Sequence, residues 1–458
     1  MFSILDMSPG DLEESVKSGK TIISVVGLGR MGLATACLFL DVGASVVGVD
    51  SNRRVVETVG SGQVSFADEG VERILRKAIS ENRFKATDRL SDAVPEAAVI
   101  IVVVPTGLDS RSRPDYSAVE EVCKQIGKVL REGSLLILES TVGVGVTEDL
   151  VLRTLESASG FQAGRDFALV YSPIRASEGS ALKDLLNYPR ILAASESRSL
   201  EVVSGLFHFL GSKEVIHASS FRAAEGEKLF ENAYRDVSLA LTNELALFCE
   251  NAGIDYDEIV RMCNSQPYSH LLLPGAWVGG GCIPVNPYFL VEAGEYSNSK
   301  LRMVRLARKL NDQLLSHTIR LVVISLRDCG KSVRRAKVAV LGASYKANVK
   351  NVEYSPVHLL VDRLSRKGAD VIVYDPFFSS EELVSAGLPA ARGLKGALEG
   401  ADALLITVGH DEFKSLSLRV VSQLVRRPAV IVDCGHVLDP RRVEEENLIY
   451  RRVGRGIH

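Results

Sequence analysis

Two separate stretches of this chain alternate apolar runs with helical patterns, and this alternation constrains the fold most strongly. The first stretch holds apolar runs at residues 21–26, 45–49, 98–104, 135–139 and 168–171. Valine and isoleucine dominate several of them without strict polar alternation, as expected of parallel strands that are covered on both faces. Helical patterns lie between these runs, so the stretch predicts right-handed β-α-β units.

The second alternating stretch begins at Lys337 and contains the runs GADVIVYDP, ADALLITVG and PAVIVDCG. These runs predict the strands of another parallel sheet. Between the two stretches, residues 222–251 form a long amphipathic helical pattern that stops at Gly253, and helical sequence continues to about Arg327. The basic stretch 327–335 is the predicted linker into the second sheet.

The chain has 458 residues, more than one ordinary core accommodates, so two or three domains are expected. We predict an α/β fold in which two Rossmann-like parallel-sheet domains are joined by a central helical domain. The predicted bounds are 1–217 for the first sheet domain, 218–330 for the helical domain and 331–458 for the second sheet domain.

Composition excludes several other classes of protein. The formal net charge is −3, so no global charge directs the chain to nucleic acid or to an anionic membrane. The first twenty residues lack the layout of a signal peptide, and no apolar run approaches the ~20 residues of a membrane span. The seven cysteines form no CxxC pair, which argues against zinc sites and disulfides. We expect a cytoplasmic protein that binds no metal, nucleic acid or membrane.

A dinucleotide-binding motif opens the first sheet domain. The motif VVGLGRMG places three glycines between a predicted strand and a predicted helix: Gly27, Gly29 and Gly32. They provide the tight turn, the approach of the backbone to a pyrophosphate, and close packing of helix on strand. The next strand ends at Asp50, where a carboxylate would bind the ribose hydroxyls of NAD. Arg53 and Arg54 follow, which keeps NADP as an alternative.

A cysteine behind three glycines marks the catalytic segment. In LPGAWVGGGCIPVNPYFL, residues 279–281 are glycines and Cys282 follows them. Glycines let the backbone come close to a substrate, and a thiol beside open backbone can act as a nucleophile. A buried structural role is the ordinary interpretation of any cysteine, and it suits the remaining six: Cys37, Cys123, Cys249, Cys263, Cys329 and Cys434.

Taken together, these segments resemble the UDP-glucose/GDP-mannose dehydrogenase family, above all the branch that oxidises UDP-N-acetylhexosamines. The resemblance runs from Thr21 to Gly456. VVVPTGLDSRSRPDYS is similar to the family's VPTP segment, ESTVGVGVTE to its STVPPGT loop, and GGGCIPVNPYFL to its nucleophile loop. KLFENAYRDVSLALTNELALFCENAGID matches the central helix, and GASYKANVKNVEYSP resembles the start of the nucleotide-binding third domain.

The resemblance implies a four-electron oxidation at C6 of a nucleotide sugar, with NAD as the oxidant and Cys282 carrying a thiohemiacetal and then a thioester. It also implies a homodimer formed through the central helix. The residues expected to bind NAD are Gly27, Gly29, Arg30, Met31, Gly32, Asp50, Arg54, Thr106 and Thr141. The expected catalytic residues are Cys282, Lys228, Asn232 and Asn286. The expected substrate-binding residues are Arg175, Lys228, Asn232, Arg235, His270, Gly279, Tyr345 and Lys346.

Several positions depart from the family's pattern. Ile174 replaces a catalytic glutamate in YSPIRASEG, and Asn286 replaces the aspartate that helps to place a proton-accepting water. Neither side chain can act as a base, although Glu178 lies four residues beyond Ile174. Two arginines near the expected anionic substrate are replaced by Tyr268 and Glu353. The histidine that often precedes the nucleophile is also absent, and Gly281 stands there.

Three functions therefore stay open. The first is an active UDP-sugar 6-dehydrogenase, with UDP-N-acetylmannosamine or a related UDP-hexose as substrate. The second is a catalytically impaired homologue that binds NAD and nucleotide sugar as a regulator or scaffold, as Ile174 and Asn286 suggest. The third is a two-electron dehydrogenase of a 3-hydroxy acid, a class that needs neither the third domain nor the cysteine.

Overall fold

A computed structural model describes residues 4–64, 66, 68 and 70–455, with only the backbone of Leu5. Gly456, where the resemblance ends, lies outside these residues. The chain divides into two compact units, unit 1 of Met1–Glu231 with Tyr288–Lys300 and unit 2 of Asn232–Pro287 with Leu301–His458. The three-domain division remains a prediction, because residues of the predicted helical domain, 218–330, are divided between the two units.

Unit 1 is built on a sheet whose strands are almost all parallel. Its strands are β1 Ile22–Val26, β2 Ser45–Val49, β3 Phe84–Thr87, β4 Val99–Val102, β5 Gly107–Leu108, β6 Pro114–Asp115, β7 Leu135–Leu138, β8 Ala168–Tyr171, β9 Arg190–Ala194 and β10 Val215–His217. The main sheet has the order β10-β9-β8-β7-β4-β1-β2-β3, and β5 pairs with β6 in a separate hairpin. The order reverses between β1 and β4, which is where open α/β sheets bind ligands.

The helices of unit 1 cover both faces of this sheet. They are α1 Pro9–Lys17, α2 Arg30–Asp41, α3 Arg53–Gly60, α4 Val71–Ser80, α5 Ser117–Gly127, α6 Arg153–Ser159, α7 Ala181–Asn187 and α8 Ser197–Phe209. Short 3-10 helices span Ile4–Asp6, Leu90–Asp92 and Val94–Glu96, and a π-helix spans Thr147–Leu152. Helix α1 begins directly after Ser8, because Ser8 and Asp11 form a capping box around its first turn.

Longer helices follow the first sheet. They are α9 Phe221–Ala252, α10 Tyr256–Cys263, α11 Asn286–Tyr296 and α12 Arg302–Asp328. Helix α9 confirms the long helix predicted for this region, and α12 ends within one residue of the predicted helical limit. Within the described ranges, none of the helices is both long and apolar enough to cross a lipid bilayer.

Unit 2 contains the second predicted sheet. Its further elements are β11 Lys337–Leu341, α13 Val357–Arg366, β12 Asp370–Tyr374, α14 Ser380–Ser385, α15 Gly393–Leu398, β13 Ala403–Ile406, α16 Asp411–Lys414, α17 Leu418–Leu424, β14 Val430–Asp433, α18 Pro440–Glu445 and β15 Ile449–Arg451. The strand order is β12-β11-β13-β14-β15, and all pairs are parallel. The order reverses at β11, directly before the segment GASYKANVKN.

The predicted α/β class is confirmed, with one difference in strand direction. Strand β9 pairs antiparallel to β8, and β10 pairs parallel to β9, so this edge of the first sheet is not purely parallel. Strands β3, β9 and β10 were not among the predicted strands. They have three to five residues; β3 and β10 form the partly exposed edges of the sheet, and the run of β9 is interrupted at its start by Arg190, so the apolar signal of each is weak.

A buried carboxylate fixes the linker to the second sheet. Asp402 accepts hydrogen bonds from Lys331 Nζ at 2.7 Å, the backbone N–H of Lys337 at 2.8 Å and Arg426 Nε at 2.7 Å. Burial alone would raise the pKa of Asp402, but the bonds from Arg426, Lys331 and Lys337 prevail and lower it to about 2. The linker predicted at 327–335 is therefore attached to the second sheet by the ion pair of Lys331 with Asp402.

We expect Asp402→Asn to lower the stability of the protein in a pH-dependent way. An aspartate in the unfolded chain has a pKa of about 3.9, so the depressed folded pKa stabilises the native state by about 2 kcal/mol above that pH. This contribution is lost as the pH falls towards 2. Urea denaturation should show a lower midpoint for the variant at neutral pH and a shrinking difference on acidification. Asp411→Asn, in an exposed pair with Lys414, is the control. An equal deficit at neutral and acid pH would contradict the argument.

Candidate active site

The turn after β1 has the geometry that the dinucleotide motif predicts. Gly27 has φ of 98°, a conformation that favours glycine, and a Cβ there would lie 2.1 Å from the carbonyl oxygen of Val103. A Cβ at Gly32 would lie 1.8 Å from the carbonyl oxygen of Gly27. Both glycines are therefore required by the packing of β1, β4 and α2 on one another.

Gly29 differs from the other two glycines, because a Cβ at this position would meet nothing within 4 Å. Gly29 is exposed and forms the N-cap of α2, and no side chain caps the helix there. The space beside the N-cap of α2 is thus open, and no side chain of Gly29 fills it. A helix N-terminus of this kind binds phosphate, so the site fits the pyrophosphate of a dinucleotide.

Asp50 is held beside this turn. Its carboxylate accepts the N–H of Leu28 at 2.9 Å and the N–H of Asn52 at 2.8 Å. A carboxylate has further lone pairs, so these bonds orient it and leave capacity for ribose hydroxyls. Arg53 donates to Asp88 at 2.9 Å, and Arg54 is exposed. Of the two arginines behind the NADP alternative, Arg53 is engaged elsewhere.

The two predicted threonines of the cofactor site meet at the same edge of the first sheet. Thr106 follows β4 and Thr141 follows β7, and the Thr106 hydroxyl donates to the carbonyl oxygen of Thr141 at 2.7 Å. Ser140 reinforces this contact, because its hydroxyl accepts the N–H of Val104 at 2.9 Å. The loop after β4 thus flanks the point where the strand order reverses.

Cys282 differs from the other cysteines in its exposure. It is the one cysteine of the seven, all of them in described segments, whose residue is exposed. Burial raises the pKa of the Cys37 and Cys123 thiols to about 12, and it also raises the pKa values of Cys249, Cys329 and Cys434. A buried thiol with a raised pKa is inert, so the structural interpretation suits those five.

The glycines before Cys282 are also required by packing within unit 2. A Cβ at Gly279 would lie 2.9 Å from Cβ of Tyr345, and one at Gly280 would lie 2.9 Å from the Tyr345 ring. The N–H of Gly280 donates to the carbonyl oxygen of Tyr354 at 2.9 Å. The glycines therefore let the Cys282 loop pack against the segment after β11. Two predicted substrate-binding residues, Gly279 and Tyr345, come together in this way.

Two predicted catalytic asparagines in unit 2 carry buried amide groups without partners. Asn232 and Asn286 are 8% and 3% exposed, and neither Nδ2 atom has a hydrogen-bond partner among the described residues. The N–H of Asn286 donates to the carbonyl oxygen of Cys282 at 2.8 Å, which fixes the start of α11 to the Cys282 loop. Because an unpaired buried amide costs about 1–3 kcal/mol, these groups fit a site that a ligand completes.

Lys228 in unit 1 is also buried, with 8% exposure, and it forms no salt bridge within the described part of the chain. The remaining predicted contacts are more open. Arg235, His270 and Lys346 have exposed side chains. The spacing of Lys228, Asn232 and Arg235 places them on one face of α9. Arg235 is nevertheless exposed, whereas Lys228 and Asn232 are buried.

Arg175 is engaged within unit 1. Its guanidinium lies 3.3 Å from Glu227 and 2.5 Å from Glu231, both on α9, and it donates to the carbonyl oxygen of Pro189 at 3.3 Å. These ion pairs attach the segment after β8 to the central helix. Its predicted contact with substrate stays a prediction.

Comparison with known proteins accounts for both sheets and for the helices between them. Models of the UDP-glucose/GDP-mannose dehydrogenase family match as the NAD binding domain at residues 21–210, the central domain at 222–313 and the UDP binding domain at 339–440. The UDP-N-acetyl-D-mannosamine dehydrogenase of Pyrococcus horikoshii is 31% identical over 95% of this chain and 99% of its own length.

This chain belongs to the UDP-glucose/GDP-mannose dehydrogenase family. The structure of UDP-D-ManNAc dehydrogenase from Pyrococcus horikoshii superposes with a TM-score of 0.86 at 30% identity, over 95% of this chain and all of that one. An NDP-N-acetyl-D-galactosaminuronic acid dehydrogenase from Ralstonia nicotianae is 30% identical over 88% of this chain and 94% of its own. The predicted family, the NAD cofactor and the class of NAD-dependent nucleotide-sugar dehydrogenase are confirmed.

The open space at Gly29 predicts that Gly29→Ala weakens NAD binding without affecting the fold. The backbone at Gly29 has φ of −65° and ψ of −175°, which alanine adopts readily. Gly29→Ala should therefore leave the melting temperature of the cofactor-free protein unchanged. The added methyl group occupies the approach to the helix N-terminus, so we expect the Kd for NAD to rise about tenfold or more in calorimetry.

Gly396→Ala is the matched control for Gly29→Ala, because a Cβ there also meets nothing within 4 Å and lies in unit 2. It should leave NAD binding unaltered. Gly32→Ala should instead destabilise the fold, given the 1.8 Å contact. Equal NAD affinity for Gly29→Ala and the wild type would contradict the assignment of this space to the cofactor.

The family glutamate that is absent at position 174 has been replaced by a packing residue. Ile174 is 8% exposed and belongs to an apolar cluster with Ala34 and Leu38 of α2. Glu178, the carboxylate four residues beyond Ile174, lies 3.6 Å from Arg30 Nη1. Arg30 begins α2 at the dinucleotide turn, so the structure places Glu178 beside a predicted cofactor-binding residue.

The other departures lie in unit 2. Tyr268, where the family has an arginine, is 93% exposed, and Glu353 is exposed as well. Gly281 stands where the family often has histidine, and a Cβ there would lie 3.4 Å from the Tyr354 ring. Since Tyr268 and Glu353 have exposed side chains, nothing within unit 2 requires these residue types.

One buried charged group beside the Cys282 loop was not predicted from the sequence. Arg308 of α12 is 3% exposed, pairs with Asp236 of α9 at 3.1 Å and approaches the carbonyl oxygen of Ile283 at 3.5 Å. Asn311 donates to the Asp236 carboxylate at 2.7 Å. Burial raises the pKa of Asp236 to about 6, against the effect of Arg308. The spacing of Arg308 and Asn311 on one helical face was the available signal.

Proposed function

We propose that this chain oxidises the C6 alcohol of a UDP-sugar to the uronic acid, with UDP-N-acetylmannosamine as the first candidate substrate. The observation that carries the proposal is Cys282, an exposed thiol whose loop is fixed by Asn286 and by the segment after β11. The names of the relatives, UDP-N-acetyl-D-mannosamine dehydrogenases among them, support an N-acetylated hexose.

Residues 27–32, Asp50, Thr106 and Thr141 would hold NAD, and two NAD molecules bound in succession would each accept one hydride. Cys282 Sγ adds to the aldehyde carbon from the first oxidation, which forms the C–S bond of a thiohemiacetal and converts the carbonyl oxygen to a hydroxyl. Loss of the second hydride and of the hydroxyl proton leaves a thioester. Water then adds to this carbonyl, the C–S bond breaks, and the uronic acid and the thiol are released.

Lys228 and Asn232 have the chemistry to stabilise the oxygen during these steps. The Lys228 ammonium is buried without a salt bridge, and the Asn232 amide is buried without a partner among the described residues. Both are donors, and donors already desolvated in the resting protein stabilise developing negative charge without reorganisation. Asn286 can orient a water but cannot take its proton. We therefore expect hydrolysis of the thioester to be the slow step.

A second candidate is a homologue that binds NAD and nucleotide sugar without completing the oxidation. The observation that favours it is the environment of Ile174, which packs with α2 in the place of a proton-accepting glutamate. Such a protein would keep both binding sites and act as a regulator or scaffold.

A panel of UDP- and GDP-sugars separates these functions. Each sugar is incubated with the full chain and NAD, and NADH is counted by absorbance against uronic acid formed. Two NADH for each sugar support the 6-dehydrogenase and identify the substrate. A 3-hydroxy acid is tested in a separate reaction, and formation of one NADH for each molecule of this acid supports a two-electron dehydrogenase. Binding of NAD and UDP-sugar in calorimetry without any NADH supports the binding homologue.

We further propose that the chain forms a homodimer through α9. Large apolar side chains on this helix are exposed: Phe230 by 62%, Tyr234 by 71%, Leu241 by 50% and Phe248 by 60%. An exposed apolar stripe of this kind marks an interaction surface. Sedimentation velocity should give twice the chain mass of 49.6 kDa, and Leu241→Glu should shift it towards the monomer. A wild-type monomer at micromolar concentration would contradict the proposal.

A further inference from the structure

A basic groove lies between α12 and α13 of unit 2, apart from every residue predicted for catalysis or binding. Its volume is about 610 Å³, within the range of small-molecule sites. Four of its lining residues are cations: Arg320 of α12, with Arg363, Arg366 and Lys367 at the end of α13. We propose that this groove binds a small anion with two or three linked phosphates.

The groove is distant in the fold from residues 342–356, the segment predicted to begin the nucleotide-binding domain. That segment follows β11, at the carboxyl edge of the second sheet. Helix α13 runs back across the sheet, and its end is tied to the opposite edge, where the N–H of Arg335 donates to the carbonyl oxygen of Gly368 at 2.7 Å. Asp370 then begins β12 beside Lys337 of β11. The groove therefore lies towards the amino edge.

The two helices direct their cations towards each other. Ser316 and Arg320 are four residues apart on α12, and Arg363 and Lys367 are four apart at the end of α13, so each pair shares a helical face. Arg363 Nη1 donates to Ser316 Oγ at 2.9 Å, which joins the two faces.

Most of the positive charge in the groove is uncompensated. Arg366 pairs with Asp362 at 3.0 Å, whereas neither Arg320 nor Lys367 has an ion-pair partner in the segments described. Cations in the last turn of α13 are stabilised by the helix dipole, but Arg320 lies about two turns before the end of α12 and has no such support. Four cations with one acidic partner among them repel one another, and a polyanion relieves this repulsion.

The chemistry of the lining selects phosphate. Guanidinium groups present paired N–H donors that match two phosphate oxygens, and the Lys367 ammonium adds a point charge. Ile319, which is 3% exposed, and Val323 form an apolar part of the wall. Linked phosphates satisfy three or four cations at once, and the apolar wall can pack against a base or ribose.

Calorimetry of the full chain with inorganic tripolyphosphate tests this site, with saturating NAD and UDP present to occupy the other phosphate sites. At about 0.15 M salt we expect one tripolyphosphate for each chain, with affinity that falls as salt is added. Arg320→Gln with Lys367→Gln should raise the Kd about tenfold or more. Both side chains are exposed, so the melting temperature should not change.

The matched control is Arg441→Gln with Arg442→Gln, which removes the same charge from exposed positions on α18 of the same unit. It should leave the Kd within about twofold, as expected for distant surface charges. If both double variants raise the Kd for tripolyphosphate equally, the effect comes from net charge alone and the proposed site is wrong. Absence of tripolyphosphate binding in the wild type would also contradict the proposal. Adenosine triphosphate is the second probe: tighter binding than tripolyphosphate supports a nucleotide ligand, and equal binding supports an inorganic polyphosphate.

The test does not depend on the proposed function. If UDP fails to bind, tripolyphosphate can enter the vacant nucleotide site, and the wild type then shows a second class of binding sites. The groove substitutions would remove only one class. A failure of the groove and a failure of the dehydrogenase proposal are thus distinguishable.

Discussion

Cys282→Ala should abolish formation of the uronic acid. Without the thiol no C–S bond to the aldehyde carbon forms, so the second oxidation lacks its covalent intermediate. Loss of a covalent nucleophile typically lowers kcat by orders of magnitude, and we expect a loss of about a thousandfold or more. NADH formation with the best sugar of the panel is the measurement. Slow release of one NADH and free aldehyde is the expected residual reaction.

The control for this substitution is Cys263→Ala. Cys263 ends α10 in unit 2, and its residue is partly buried, so its replacement should leave NADH formation unaltered. Binding of NAD and of UDP-sugar should be retained in Cys282→Ala, which separates a lost reaction from a lost fold. Two NADH for each sugar at the wild-type rate in Cys282→Ala would contradict the covalent mechanism.

Glu139→Ala should produce the largest loss of stability among the substitutions considered. Glu139 and Arg190 form an ion pair at 3.1 Å, and their side chains are 0% and 3% exposed. Thr35 of α2 donates to the same carboxylate at 2.9 Å, and the Arg190 guanidinium lies 4.6 Å from the centre of the Phe207 ring. Removal of the carboxylate leaves a buried cation without its counter-ion, which costs about 3–5 kcal/mol.

Thermal and urea denaturation of the full chain measure this effect. Glu72→Ala is the control, because Glu72 pairs with Arg76 on the exposed surface of α4 in the same unit and should cost about 1 kcal/mol or less. Glu139→Leu combined with Arg190→Met should be more stable than Glu139→Ala, since no unpaired charge remains. Equal effects of Glu139→Ala and Glu72→Ala would show that the buried pair adds nothing.

Glu139 also illustrates how structural and functional residues share one segment. It directly precedes Ser140 and Thr141, the loop that contacts Thr106 at the cofactor edge of the first sheet. Its position at the end of the apolar run 135–139 indicates a strand end. Its partner Arg190, however, is 51 residues away along the chain. A pairing at this separation has no local signal, so only the fold reveals it.

The turn of the predicted cofactor site was readable in the sequence because its causes are local. A tight turn after a buried strand requires Gly27, close packing of helix on strand requires Gly32, and an acid at the next strand end suits a ribose. These requirements operate within about thirty residues of chain, so the motif carries them. Likewise, the runs of valine and isoleucine predict strands because parallel strands are buried on both faces.

The tertiary structure alone decided what depends on distant contacts. It showed that Gly279 and Gly280 accommodate Tyr345, that Asp236 and Arg308 support the carbonyl of Ile283, and that β9 runs antiparallel to β8. It also brought the cations of α12 and α13 to one groove. The sequence by itself determined the family and the cofactor, because these follow from short motifs in a fixed order, and it predicts Cys282 as the nucleophile. Burial, pairing and strand direction arise from packing between segments far apart in the chain, and no short motif encodes them.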